Sequence, residues 1–150
     1  MELVATYLKD AAFEVSCRDH RVISDQPADK GGGDAGMTPP EFLLAALASC
    51  AGYYAAKYLE AHGLPAEGLA VRVTAEKSAA PARLSSFRVA IGAPEAASPK
   101  HQAGVLRAAR HCLIHNTLLN PARIDVMLDD FIDVSEPPER FDPVVAGVPS

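Results

Sequence analysis

The first twenty-five residues alternate between apolar and polar positions. In "AAFEVSC", Phe13, Val15 and Cys17 face one way and Glu14 and Ser16 the other, the two-residue period of a half-buried strand. Segments 2–8, 11–17 and 20–25 read as three short strands, joined as a meander at tight polar corners such as Lys9-Asp10. The period then stops. "DQPADKGGGDAG" has none, and its glycines and Pro27 mark a mobile loop. "TPPE" opens a helix, with Thr38 as N-cap, Pro39 at the first helical position and Glu41 completing a capping box. That helix is expected to end at His62, with Gly63 as its stop, after about 25 residues or roughly 37 Å. Its first four turns are apolar on every side, so it should be buried all round, under a sheet and a second layer that another subunit could supply.

Alternation returns in "LAVRVTAEK", with Val71, Val73 and Ala75 inward, and in "RLSSFRVAIGA", with Phe87, Val89 and Ile91 on one face. The short link "SAAPA" makes the two a hairpin. A second helix starts at Ser98-Pro99 and is expected to reach about Asn116. Its apolar stripe is Val105, Ala109 and Cys112, flanked by Leu106 and Leu113. "ARIDVML" reads as a last strand. Three strands, a helix, a hairpin, a helix and a strand are not a βαβ alternation. They predict an α+β fold with antiparallel sheets packed on two central helices. Residues 1–130 should form one domain, and 131–150 an acidic, Pro-rich tail.

Charge and composition narrow the partners. The 150 residues carry a net charge of −5, but from Asp129 onward there are six acids and one base, which accounts for all of it. A balanced body with an acidic tail has no basic stripe for nucleic acid, nor a cationic face for an anionic membrane. The N-terminus lacks the basic start and apolar run of a signal peptide. The longest uncharged apolar run, 42–56, is shorter than the roughly 20 residues of a membrane span. A cytoplasmic protein is the expectation. Three cysteines without a CxxC pair do not make a disulfide scaffold.

Cys50 and Cys112 each lie on the apolar face of a long helix. Buried cysteines often only pack. If these two meet, packed helices bring their Cα atoms close to the roughly 4.4–6.8 Å that a disulfide needs. Cys112, near the C-terminal end of its expected helix, is where the dipole disfavours a thiolate. Cys50, mid-helix, needs a nearby cation to ionise, and Arg18 and Arg21 are the candidates. Cys50 would then attack and Cys112 resolve. "CRDH" and "CLIH" also form two Cys-x2-His pairs that could hold zinc, but Cys17 is expected to pack with Phe13 and Val15. His101 and His111 read as solvated helix residues. "GGGDAG" is no phosphate loop, since no Gly-Lys-Ser/Thr follows it.

"MTPPEFLLAALASC" resembles the cysteine-helix signature of the OsmC/Ohr group of thiol peroxidases, and "CLIHNTL" resembles that group's second cysteine motif. The element order is similar over roughly residues 1–130. The resemblance implies an intertwined homodimer with sites at the subunit interface. It implies Cys50 as peroxidatic and Cys112 as resolving cysteine, an organic hydroperoxide as substrate, an external dithiol as reductant, and no metal or organic cofactor. In the best-characterised members a catalytic glutamate stands ten residues before the cysteine. Here that position is Pro40 and Glu41 comes one later, so Glu41 is either catalytic or only the capping acid. Arg21 lies in "CRDHRVISDQP", similar to an "H…D.P" signature of the OsmC-like branch, and could instead only pair with Asp19 or Asp25. Leu113 replaces the usual proline of the second motif. From another class, the same scaffold could be a dimeric binder of an apolar small molecule whose thiols only pack.

Overall fold

The computed structural model describes residues 2–128. The expected acidic tail therefore lies outside the described residues. The described residues divide into two compact units, one of residues 2–38 with 125–128, the other Pro39–Ile124.

In the first unit, β1 (Val4–Lys9), β2 (Ala12–Cys17) and β3 (His20–Ser24) form an antiparallel sheet in the order β1-β2-β3. Both corners are two-residue turns, and Asp10 (φ 52°) and Arg18 (φ 54°) take the left-handed conformation that opens them. Burial at the start of β2 reverses the expectation. Glu14 is 6% exposed, whereas Phe13 is 39% exposed, with its ring edge-on to Tyr7 at 5.6 Å. The buried carboxylate keeps a counter-ion, since Arg21 Nη1 lies 3.5 Å from Glu14 Oε1. The apolar face of Tyr7, Phe13 and Val22 is exposed within this chain.

The glycine-rich segment is a closed loop rather than an open one. Asp25, 2% exposed, accepts hydrogen bonds from the backbone N–H groups of Gln26 (2.7 Å), Gly33 (2.9 Å) and Ala35 (3.0 Å). A single 3-10 turn, Ala28–Lys30, packs the loop between these anchors. The Ala35 amide above all, then those of Gln26 and Gly33, hold the Asp25 carboxyl below the usual carboxylate range against the opposing effect of desolvation.

In the second unit, α1 (Pro39–Ala61) packs against the hairpin of β4 (Ala70–Ala79) and β5 (Ala82–Gly92) and against α2 (Pro99–Arg110). The hairpin matches the sequence reading. Val71, Val73, Ala75, Phe87, Val89 and Ile91 are the sheltered positions of the two strands. The helix stop does too. Gly63 (φ 67°) donates to Glu60 and Leu64 donates to Leu59, the paired bonds of a Schellman cap. What differs is the depth of α1. Within the chain only Leu47, Ala51, Ala55 and Leu59 are fully buried, a single stripe at four-residue spacing. Tyr53 is 58% exposed. Taken as a whole helix, α1 is long and apolar enough to cross a membrane by length and composition, but its stripe is spent on β4 and α2. Leu59 sits with Ala55, Ala96 and Val105 at the centre of the core cluster.

Two further expectations are corrected. The second helix does not run to Asn116. It stops at Arg110, and a separate short helix, α3 (Leu113–Leu119), follows. Its stripe holds, with Val105, Ala109 and Cys112 buried, but Leu106 (47%) and Leu113 (61%) are exposed. "ARIDVML" is not a strand. No neighbouring strand pairs with it among the described residues, and Ile124, Val126 and Leu128 are 84–100% exposed. A lone strand has no ladder to satisfy its amides.

Two substitutions test this packing. A Cβ on buried Gly104 of α2 would run into the Tyr58 ring. Gly104→Ala gains up to about 1 kcal/mol of helix propensity but costs about 1–3 kcal/mol in overpacking. A lower thermal midpoint is expected in a calorimetric scan. Asp25→Asn should destabilise the protein at pH 7. Because the native Asp25 pKa is depressed, its stabilisation is present above the unfolded value of about 3.9 and fades as pH falls through the native one. The wild-type and Asp25→Asn unfolding curves should therefore converge in acid.

Candidate functional site

Cys50 and Cys112 meet within the second unit, and both are free thiols. Cys50 is the twelfth residue of α1, half-buried, one position before Ala51 of the buried stripe. The continuous stripe therefore fixes its direction. Cys112 reaches it from the break between α2 and α3. After the His111 amide donates to the Ala108 carbonyl and the Cys112 amide to that of Ala109, Cys112 leaves helical geometry (φ −56°, ψ 130°) and its side chain is fully buried.

This placement changes the electrostatic argument for Cys112. It stands at the N-cap of α3, not near the end of a longer helix. The amides of His115 and Ile114 point at its sulfur and favour the thiolate. Burial opposes them and is the larger effect, and the hydrogen bond to Cys50 adds to it, so the Cys112 thiol is pushed up. The charge that would develop beside Cys50 adds to it again, and all three effects disfavour ionisation of Cys112.

The other expected site residues stand on α1 and β3. Glu41 is in the first turn of α1 and exposed. Nine residues of unbroken helix turn it about 180° away from Cys50 and set it roughly 13 Å along the axis. Arg21 lies on β3 in the first unit, where its Nη1 lies 3.5 Å from Glu14 Oε1. Cys17 and His20 face each other across β2 and β3, while Cys112 and His115 belong to the second unit. No group of three or more His, Cys, Asp or Glu that could hold a metal occurs among the described residues.

A cleft of about 780 Å³ opens in the second unit between α1, β5, α2 and α3. Leu43, Leu47, Phe87, Val89 and Leu118 make it apolar, with Arg83, Ser85, Arg110 and His115 as its polar groups. Its lining includes neither cysteine, although Ala51, next to Cys50, is part of the wall. The sequence reading found the apolar faces that build this cleft but not the cleft itself, because the α2–α3 break that shapes one end of it carries no glycine or proline.

The OsmC-like protein family model matches residues 31–127, which include α1, the hairpin and both cysteines. The chain belongs to the OsmC-like family. No curated protein matches it. Among solved structures it is similar to a Psychrobacter arcticus protein described provisionally as an osmotic stress induced and detoxification response protein. The TM-score is 0.71 at 23% identity, over 77% of this chain and 85% of that one. It is also similar to an OsmC-like protein of Mycoplasma pneumoniae (TM-score 0.64, 20% identity, 80% and 87% covered). A third likeness is to an organic hydroperoxide resistance protein OsmC of Legionella pneumophila (TM-score 0.56, 16% identity, 78% and 87% covered). At these identities the likenesses establish the OsmC-like α+β fold.

The contrast between the two sulfurs is measurable. In native reduced protein near pH 8, iodoacetamide should label half-buried Cys50 well before Cys112, which is fully buried and held protonated. Peptide mass mapping over a time course reads the order. Labelling of Cys112 first would contradict this assignment.

Proposed function

We propose that this OsmC-like protein is a thiol peroxidase that reduces organic hydroperoxides. The observation that carries the reading is the Cys50–Cys112 pair, a half-buried sulfur beside a buried thiol whose ionisation is disfavoured. The family's association with peroxide-related redox function, and the name of the Legionella relative, support it. The Cys50 thiolate attacks the distal peroxide oxygen. The O–O bond breaks, the alkoxide leaves and takes a proton as the alcohol, and Cys50 becomes a sulfenic acid. The Cys112 sulfur then displaces hydroxide from Cys50, forming a disulfide and, with its own proton, one water. An external dithiol reduces the disulfide through a mixed intermediate and is itself oxidised. The reading rests on the two sulfurs, with Arg21, which pairs with Glu14, and Glu41 in the first turn of α1 as further candidates for the site. The working unit is a homodimer. Within one chain the sheet face of Tyr7, Phe13 and Val22 is exposed and α1 is buried along one stripe only, and a second copy would cover both.

One observation favours a different class. The apolar cleft takes in neither cysteine, as a non-catalytic binder of an apolar small molecule would have it.

With cumene hydroperoxide and a dithiol, Cys50→Ser should lose peroxide consumption. Cys112→Ser, without reductant, should react once and accumulate a sulfenic acid trapped by a dimedone probe. Wild-type turnover in Cys50→Ser would contradict the mechanism and leave the binder. Light scattering should give twice the 15.8 kDa chain mass, and a monomer at micromolar concentration would contradict the dimer.

A further inference from the structure

Away from the thiols, three side chains from α1, its C-terminal turn and α2 are locked together. Tyr58 stacks on His62, with ring centroids 4.1 Å apart and planes at 29°. The Tyr58 hydroxyl lies 3.2 Å from His101 Nδ1, and His62 Nδ1 lies 2.8 Å from the Tyr58 carbonyl oxygen. The two imidazoles lie edge to face, 5.6 Å apart between centroids and at 74° between planes. Each half of the arrangement is fixed by its own helix. His62 follows the last residue of α1 and its amide donates to Leu59. The His101 amide donates to the N-cap hydroxyl of Ser98. Gly104, one turn further along α2, leaves the room in which the Tyr58 ring lies. His101, expected to be solvated, is thus half-buried and partnered.

We infer that His62 and His101 form a binding site for a zinc-type divalent ion, with Tyr58 as the residue that positions both imidazoles. The spacing fits. Two imidazoles on one tetrahedral zinc, each with Zn–N of about 2.0–2.1 Å, place their ring centres roughly 5–5.5 Å apart. The tautomers fit as well. A ligating histidine characteristically donates its other ring N–H to a carbonyl or a comparable acceptor, which fixes the ring and raises its basicity. His62 has that acceptor in the Tyr58 carbonyl, and His101 has it in the Tyr58 hydroxyl oxygen once Nδ1 carries the proton. Both Nε2 lone pairs are then left for the ion. Imidazole nitrogen suits zinc among the divalent ions. With no third His, Cys, Asp or Glu in the group among the described residues, water completes the coordination. The ion would tie the end of α1 to the start of α2.

The test is a zinc titration of the reduced, full-length protein, followed by long-range 1H–15N spectra of the imidazoles. The His62 and His101 Nε2 resonances should move together and saturate at one zinc per chain, with a zinc-dependent rise in thermal midpoint. His62→Ala and His101→Ala should each weaken this binding by at least about tenfold, and Tyr58→Phe by about tenfold, the usual effect of removing a ligand's outer partner. His111→Ala should leave it unchanged. Movement of only one of the two imidazoles, or undiminished affinity in His62→Ala, would overturn the site. So would zinc that shifts neither ring and is lost when the thiols are alkylated.

Discussion

The second unit depends on one strip of contact, the Leu47, Ala51, Ala55 and Leu59 edge of α1. Two of its four residues are alanine, so the hairpin and α2 approach the helix axis closely. Leu59 then fills the end of the strip against Val105 and Ala96. Burying such a leucine contributes about 1.5–3 kcal/mol. The strip also sets the angular position of every other α1 residue. Cys50 stands beside it and turns toward the α2–α3 break. Tyr53 lies opposite and is exposed. Tyr58, one residue before Leu59, reaches α2 and meets His101.

The chemistry follows from how Cys112 enters that frame. A thiol on a continuing helix would be one more member of the Val105–Ala109 stripe. By leaving helical geometry at Cys112, the chain carries the sulfur to full burial and brings the amides of Ile114 and His115 onto it. Those amides alone would make Cys112 the acidic thiol. Burial and the bond to Cys50 outweigh them, so ionisation of Cys112 is disfavoured.

Much of this was legible in the sequence, where a local rule suffices. Ser98-Pro99 marks a helix start, Gly63 needs a left-handed φ, and the period of Val71–Ala75 against Phe87–Ile91 sets the hairpin faces. The pairing of Cys50 with Cys112 was legible because each falls on an apolar stripe. The misreadings share a cause, which is that a period does not say what covers a face. Phe13, Val15 and Cys17 were read as the core side of β2, yet Glu14 is the buried residue, because Arg21 on the next strand neutralises it. The end of α2 was invisible, since "ARHCLIHN" contains no breaker and the bend is fixed by tertiary packing of one sulfur. "ARIDVML" has a strand's composition without a partner strand among the described residues. The Tyr58–His62–His101 group was missed because its members lie 43 residues apart in the chain. The one hint was that Tyr58 and His62 stand four apart on one helix face.

The most direct measurement is a stoichiometric titration of the reduced protein with cumene hydroperoxide, followed by non-reducing peptide mass mapping. The account predicts one equivalent of peroxide consumed per chain and a Cys50–Cys112 disulfide as the product. Both thiols intact after excess peroxide would contradict it, and would make the buried contact between the two sulfurs a matter of packing alone.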